Sequence, residues 1–117
     1  MSKSENVFND LSKIFHEPKR LAIMSLLAQH SDGISFSEIK KNCEITDGNL
    51  NRHLHMLEEA KAIKVNKSFA GVKPLTTIKL TANGRKNFLN YLTTLEEVLR
   101  QASTAMENGD IRKAKTI

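Results

Sequence analysis

The sequence has little cysteine and no long apolar run, and each absence excludes a class of protein. Cys43 is the only cysteine among 117 residues, so one chain can form neither an internal disulfide nor a multi-thiolate metal centre. No apolar run approaches the roughly 18 residues that cross a bilayer, and the N-terminus lacks the order of a signal peptide. We therefore expect a cytoplasmic protein with no membrane contact, forming a single domain over residues 1–117.

Catalytic motifs are also missing. The five glycines form no phosphate loop of the Walker or dinucleotide type, and no spacing pairs a serine with a base. The four histidines are scattered. His53 and His55 diverge by about 200° on one helix, so they cannot hold a metal ion together. We expect no enzyme, no bound metal and no cofactor.

Acidic residues are absent from one stretch of the chain. The net charge is +5, and residues 60–95 carry seven basic residues and no acid, whereas the remainder has eleven basic and thirteen acidic residues. This distribution predicts a localised surface for a polyanion. The alternative is an ordinary solvated surface, but such surfaces usually mix both signs.

Apolar spacing predicts a mainly α chain with one small β-hairpin. A first helix is expected over about Glu5 to Phe15, and a second begins at Pro18, lies in the core and ends at Ser31–Gly33. Residues 34–36 should be extended. Ser37 is then expected to cap a short third helix with Ile39 and Cys43 on its inner face.

Thr46 is expected to cap a fourth helix that runs to about Lys61, and the tight turn before it completes a helix-turn-helix. At 100° per residue, one face of this helix points to the core through Leu50, Leu54 and Leu57. The opposite face carries Gly48, Asn51, Arg52, His55 and Glu59. Asn and Arg have the donors and acceptors that match adenine and guanine edges, and Gly48 leaves room for a close backbone approach.

Two strands follow, because apolar and polar residues alternate over residues 63–66 and 77–80. Residues 69–74 hold Gly71 and Pro74 and are expected to form the loop between them. The hairpin over residues 62–80 would be a basic wing beside the fourth helix, carrying Lys64, Lys67 and Lys73.

Thr81 is expected to cap a last helix over residues 81–107, which ends at Asn108 and Gly109 and leaves a flexible basic tail over 108–117. Its apolar residues follow a heptad seam, widened at two positions: Phe88, Tyr91, Leu92, Leu95, Val98, Leu99, Ala102 and Met106. A helix of about 25 residues is roughly 37 Å long, which is more than the DNA-binding core over residues 5–80 can cover. We expect a homodimer through this helix, the alternative being that the stripe packs on its own domain.

The stretch Thr46 to Val65, TDGNLNRHLHMLEEAKAIKV, resembles the recognition helix and first wing strand of small MarR-like and ArsR-like winged helix-turn-helix regulators. The resemblance covers about residues 15–99 and implies a long C-terminal dimerisation helix. Two departures matter. The acidic residue and arginine often found at a MarR wing tip are absent between Asn66 and Pro74, and the paired cysteines of an ArsR metal sensor are missing.

The resemblance implies a sequence-specific regulator of transcription that binds double-stranded DNA as a homodimer, in our hypothesis a repressor, with room for an unidentified small-molecule effector. The fourth helix would enter the major groove. Base contacts would come from Asn49, Asn51, Arg52 and His55. Backbone contacts would come from Ser35, Ser37, Thr46, His53, Lys64, Lys67 and Lys73.

Each assignment has a structural alternative: Ser37 and Thr46 can simply cap helices, and His53 can sit half-buried beside Leu50. The main rival function is a winged helix that binds proteins rather than DNA. An RNA-binding winged helix is the third hypothesis, disfavoured because the chain has only six aromatic residues, several at core positions.

Overall fold

The structure, a computed structural model, describes residues 12–116 of the chain and the side chains of residues 12–109. It has four helices and three strands in the order α1 (Pro18–Ala28), β1 (Ile34–Ser35), α2 (Phe36–Cys43), α3 (Asp47–Glu59), β2 (Ile63–Ala70), β3 (Lys73–Leu80) and α4 (Ala82–Thr116). This is the winged helix-turn-helix that the sequence predicts. No helix among the described residues is both long enough and apolar enough to cross a membrane.

The three strands form one antiparallel sheet in the order β1-β3-β2. The wing is the β2–β3 hairpin, paired from Ile63 with Leu80 out to Ala70 with Lys73. The expected loop over residues 69–74 is therefore wrong: Phe69 pairs with Pro74, and only Gly71 and Val72 form the turn. Gly71 has a φ of 67°, which a glycine adopts without steric cost, so the turn needs only two residues.

Helix α1 begins at Pro18 as expected, with Glu17 as its N-cap residue. It ends at Ala28, before the Ser31–Gly33 stop that the sequence suggested, and Gly33 turns the chain into β1 with a φ of 97°. Of the expected helix over residues 5–15, residues 5–11 lie outside the described part of the chain. Residues 13–15 form a turn rather than a helix, with the His16 N–H donating to the Ser12 carbonyl at 2.9 Å.

The helix-turn-helix is α2, a short turn and α3. Ser35 caps α2, not Ser37, because the helix already begins at Phe36; the Glu38 N–H donates to the Ser35 hydroxyl at 3.2 Å. Thr46 caps α3 as predicted, accepting from the Asn49 N–H at 3.3 Å. The ammonium of Lys19 on α1 donates to the Cys43 carbonyl at 2.9 Å, which fixes the end of α2 against the first helix.

The core lies between α1, α2, α3 and the sheet, and the first turns of α4 close it. Leu50, Leu54 and Leu57 of α3 are buried as predicted, and Cys43 is a small core residue. Phe88 of α4 packs edge-on against Phe15 with 5.3 Å between ring centroids, and Tyr91 stacks beside it. The α4 stripe is thus divided, with its first part buried in its own domain.

Helix α4 is longer than expected. It has 35 residues and continues through Asn108 and Gly109 to Thr116, so these two residues do not end it. At 1.5 Å per residue its length is about 52 Å. The surface of its outer half is apolar in part, because Leu99 and Met106 are exposed. The division of the chain into a DNA-binding core, a dimerisation helix and a flexible tail stays a prediction.

Candidate nucleic-acid interface

The outward face of α3 carries all four residues predicted to contact bases. Asn49, Asn51, Arg52 and His55 are exposed, whereas the leucines on the inner face are buried. The Thr46 cap and the buried leucines fix the rotation of the helix about its axis, so the polar face points away from the core. His55 lies 3.4 Å from the carboxylate of Glu59, one turn further along the same face.

The wing faces α3 across an open cleft of about 430 Å³. Asn51 and His55 line the α3 side of this cleft, and Lys67 and Thr76 line the wing side. Lys67 points to the cleft because strand residues alternate and Val65, two positions earlier, packs on the core. The structure therefore brings Lys67 together with the predicted base-contacting face.

Lys64 and Lys73 are exposed, but the same alternation places them on the other face of the hairpin. They do not share the cleft with Lys67. The three wing lysines predicted to contact the DNA backbone are therefore divided between two faces, one toward α3 and one away from it.

The N-terminal end of α3 borders a second, shallow concavity between α2 and α3, of about 800 Å³. Ser37 and Thr46 line it, together with two lysines that the sequence analysis did not select, Lys40 and Lys41. Lys40 pairs with Asp47 at 2.8 Å and so compensates an acid in the first turn of α3. The sequence did contain a pattern that predicts this basic site, namely two adjacent lysines on the helix that precedes the predicted recognition helix.

Two of the predicted backbone-contacting hydroxyls already serve helix caps. Ser35 accepts from the Glu38 N–H and donates to the Glu38 carboxylate at 3.3 Å, so its hydroxyl is already engaged on both sides. Thr46 caps α3. Of the predicted hydroxyl contacts, only Ser37 is exposed with no capping role in the structure.

His53 differs from the other candidates because it is only 3% exposed. Its Nδ1 atom lies 3.1 Å from a guanidinium nitrogen of Arg20, itself 8% exposed. Arg20 is further fixed by donation from its Nε to the Ile14 carbonyl at 2.6 Å. Of the two expectations for His53, a phosphate contact and a half-buried side chain, the second is closer to the structure. The ring is more deeply buried than expected, and it contacts Arg20, which is 33 positions away in the sequence.

The charges around His53 shift two pKa values. Burial lowers the pKa of His53 below its usual 6.5; the neighbouring Arg52, Arg20 and Lys19 act in the same direction, and Glu17 opposes them. For Glu17, burial acts to raise the pKa, but the hydrogen bond from the Arg20 N–H and the attraction of His53 and Arg20 outweigh it and lower the value. Near neutral pH, His53 is therefore an uncharged imidazole and Glu17 a carboxylate.

The tip of the wing carries an exposed apolar surface that the sequence analysis missed. Phe69 is 72% exposed and Val72 is 96% exposed, and Leu75 is also exposed, on the face of the hairpin opposite to that of Phe69. Phe69 and Val72 fall within the expected loop over residues 69–74, whereas in the structure Phe69 belongs to β2 and only Gly71 and Val72 form the turn. Among the described residues, no three histidine, cysteine or acidic side chains come together as a metal-binding group.

Comparisons with known proteins agree with this architecture. An uncharacterised protein of Methanocaldococcus jannaschii is 38% identical over 80 residues, which cover 68% of this chain and 86% of that protein. The solved structure of a transcriptional regulator homologue from Pyrococcus horikoshii OT3 is similar with a TM-score of 0.76 and 29% identity, over 87% of this chain and 98% of that chain.

More distant solved structures share the fold. A MarR-family regulator from Enterococcus faecalis V583 has a TM-score of 0.64 at 20% identity, covering 90% of this chain and 94% of its own. The M. tuberculosis regulator MosR, solved in complex with DNA, has a TM-score of 0.59 at 15% identity, covering 74% of this chain and 60% of its own. A family model described as a winged helix DNA-binding domain matches residues 19–99. The chain therefore belongs to the winged helix DNA-binding domain family, with a fold like that of MarR and ArsR transcriptional regulators.

Proposed function

We propose that this protein is a homodimeric repressor that recognises a specific double-stranded DNA sequence through α3. The observation that carries this proposal is the cleft between α3 and the wing. It places exposed Asn51 and His55 opposite the exposed cation Lys67 on one surface. Polar groups that read base edges and a charge that binds a phosphate are thus available side by side.

The dimensions of α3 suit the major groove of B-DNA, which is about 12 Å wide and admits one helix. Asn51 and Arg52 lie within the first two turns of α3, the part of a recognition helix that approaches base edges. An asparagine pairs with adenine and an arginine with guanine through two hydrogen bonds each. Asn49 and His55 complete the proposed reading surface.

The DNA backbone would be held from both sides of α3. On one side lies Lys67 of the wing, and on the other lie Ser37, Lys40 and Lys41 around the N-terminal end of α3. The N-terminus of a helix itself attracts phosphate through its free N–H groups. Lys64 and Lys73, on the outer face of the wing, would neutralise a neighbouring stretch of backbone.

Dimerisation is proposed through the outer face of α4. Phe88 and Tyr91 were predicted to join this interface, but they are 3% and 2% exposed in the single chain and are already packed. Over residues 82–109, the large apolar side chains left exposed on α4 are Leu89, Leu92, Leu99 and Met106. They recur at spacings of three and seven residues, which is a heptad pattern, so a second copy of α4 is the partner proposed to cover them.

The similar structures support a regulatory role for this arrangement. The Pyrococcus horikoshii protein is described as a transcriptional regulator homologue, and it matches most of this chain. For a two-fold symmetric dimer, the two α3 helices would read half-sites about 34 Å apart on a near-palindromic operator. An occupied operator would block polymerase and repress transcription.

The test is selection from a random pool of duplex DNA, followed by affinity measurements across a salt series. The wild type should enrich one near-palindromic motif, and log affinity should fall linearly with log salt as counterions are released. Arg52→Ala should lose the motif. Arg100→Ala is the matched control, because it removes the same charge from an exposed position on α4 that pairs with Glu97.

Two outcomes would contradict the proposal. If no motif is enriched and both variants bind duplex DNA as weakly as the wild type, α3 does not read bases. If the basic wing instead captures an acidic protein with the same affinity in wild type and Arg52→Ala, the chain is a protein-binding winged helix.

A further inference from the structure

Arg20, His53 and Arg52 meet in a row between α1 and the outer face of α3. Arg20 approaches the Nδ1 atom of His53 at 3.1 Å, and a terminal nitrogen of Arg52 lies 3.5 Å from the Nε2 atom. His53 is buried, whereas Arg52 is exposed. The Nε2 edge of the ring is therefore the edge nearest the predicted DNA-binding face.

This row contains more hydrogen-bond donors than acceptors. A guanidinium group only donates, and a neutral imidazole accepts at one nitrogen while it donates from the other. A protonated imidazole accepts at neither. His53 therefore cannot accept from both arginines in any protonation state, and one of the two contacts brings a donor against a donor.

The contact with Arg20 is the real hydrogen bond. It is shorter, and Arg20 is held in place by its bond to the Ile14 carbonyl and by a contact of 3.5 Å with the sulfur of Met56. Nδ1 must then be the acceptor, and the proton of the neutral ring lies on Nε2. The Nε2–H group of His53 and an N–H group of Arg52 consequently face one another with no acceptor between them.

Nothing in the described chain supplies that acceptor. Glu17 carries the carboxylate whose charge most affects His53, but its Oε1 accepts from the Arg20 backbone N–H at 2.8 Å as the cap of α1. Arg52 forms no ion pair with an acidic side chain among residues 12–109. Two donors that face one another are each left without an acceptor, so an external acceptor at this position would be favourable.

We propose that a phosphodiester oxygen of DNA is the missing acceptor, bound jointly by the Nε2–H of His53 and one N–H of Arg52. The inference rests on the proposed function, because α3 must lie in the major groove for a backbone phosphate to come near these atoms. The remaining N–H groups of Arg52 are then oriented toward a base edge. Arg20 becomes a positioning residue, which touches no DNA but sets the tautomer of His53.

Two substitutions separate the two ring nitrogens. His53→Asn places an amide oxygen near Nδ1, which keeps an acceptor for Arg20 and removes the Nε2 donor. His53→Gln reaches the Nε2 position with an amide N–H and keeps that donor. With the selected operator, we expect His53→Asn to lose affinity about tenfold or more, and His53→Gln about threefold or less, since hydrogen bonds to charged groups are the stronger kind. Equal losses for the two variants would overturn the proposal.

A chemical substitution in the DNA tests the same contact without altering the fold. Each phosphate of the operator is replaced in turn by an uncharged methylphosphonate. The wild type should be sensitive at one phosphate per half-site where His53→Asn is insensitive, because the shared contact can be removed only once. If the losses from His53→Asn and from every methylphosphonate simply add, no phosphate binds His53.

Nitrogen-15 NMR of the wild type provides a readout that a purely structural histidine would not give. The free protein should show the proton of His53 on Nε2, and operator binding should shift the Nε2 resonance with the tautomer unchanged. A proton on Nδ1 in the free protein would show that Nδ1 does not accept from Arg20, and the proposal would be wrong. If inorganic phosphate alone reproduces the shift and no methylphosphonate position is sensitive, the site binds free oxyanions and the assignment to DNA is wrong.

Failure of this inference is distinguishable from failure of the proposed function. When a motif is selected and Arg52→Ala loses it, but His53→Asn binds like the wild type, only the shared phosphate contact is wrong. When no motif is selected at all, the proposed function itself fails.

Discussion

Gly84 lies so close to the carbonyl of Ala62 that a Cβ atom on Gly84 would overlap it. The Thr81 hydroxyl joins the same junction, accepting from the Gly84 N–H at 2.8 Å and donating to the Lys61 carbonyl at 2.7 Å. The short connection between α3 and the wing is thus held against the start of α4. This junction fixes the recognition helix relative to the helix proposed to bind the second copy.

Gly84→Ala should destabilise the fold, whereas Gly48→Ala should not. At Gly84 the new methyl group meets backbone atoms that cannot move without disturbing the sheet, so we expect a loss of about 2 kcal/mol or more in the free energy of unfolding. At Gly48 the space within 4 Å is empty. There, better helix propensity should leave stability unchanged or raise it by up to about 1 kcal/mol. Urea unfolding measures both, and similar midpoints for the two variants would show that the junction is not tight.

Stability should fall between pH 7.5 and 5.5 because of His53. Burial lowers its pKa in the folded state below 6.5, with Arg52, Arg20 and Lys19 acting alike and Glu17 opposing. Below pH 6.5 the unfolded chain therefore binds more protons than the folded one, and the stabilisation present above pH 6.5 is progressively lost on acidification. Glu17, whose pKa is lowered from 4.5, adds its own loss only at lower pH.

The measurement is urea unfolding at several pH values, with two histidine variants compared. His53→Gln should flatten the dependence between pH 7.5 and 5.5. His55→Gln changes another histidine, on the exposed face of the same helix, and serves as the comparison variant. A wild-type slope in His53→Gln would place the titrating group elsewhere.

The exposed apolar residues of α4 should matter for association and not for folding. Leu99 is 61% exposed in the single chain, so Leu99→Lys should leave thermal unfolding of the domain intact and shift the protein from dimer to monomer in sedimentation equilibrium. Gln101→Lys adds the same charge at another exposed position and should remain dimeric. Phe88→Ala, by contrast, empties part of the core and should cost about 3–5 kcal/mol of stability. A monomeric wild type would contradict the dimer.

Phe69 and Lys67 should contribute to DNA binding in different ways. Phe69 lies on the same face of β2 as Lys67, so we expect it to contact DNA beside that lysine. Phe69→Ser should lower affinity several-fold without changing the salt dependence or the stability of the fold. Lys67→Ala removes a charge and should reduce the slope of log affinity against log salt by about one. A salt series with the two variants gives both slopes. Identical slopes would mean that Lys67 binds no phosphate.

Local patterns were sufficient to predict the helix-turn-helix. The Thr46 cap, the inward spacing of Leu50, Leu54 and Leu57, and the alternation around Ile63 and Ile78 each depend on neighbours within a few residues, and the structure confirms them. The predicted cap of α2, Ser37, is wrong by two residues, because Ser35 caps the helix. Ser35 and Glu38 have the spacing of a capping box, which was the signal for the earlier start.

Features that depend on distant contacts were not predictable from the same patterns. An apolar stripe does not state whether its partner is the same chain or another, so Phe88 and Tyr91 were assigned to a dimer although Phe15 lies against them. The depth of His53 depends on Arg20, which no periodicity links to α3. The predicted contacts of individual residues with DNA stay predictions, because exposure alone does not identify a ligand.

Helix α4 is continuous and its start is fixed at the Gly84 junction, so a rotation of the helix at this junction moves its far end over a much larger distance. The helix is about 52 Å long, so a tilt of about 5° at its first turn displaces its far end by roughly 4 to 5 Å. Conversely, a displacement of several ångströms at the far end of α4 produces only a small change in the orientation of the recognition helix. In the proposed dimer, large movements of the outer ends of the two α4 helices would therefore change the distance between the two recognition helices only slightly.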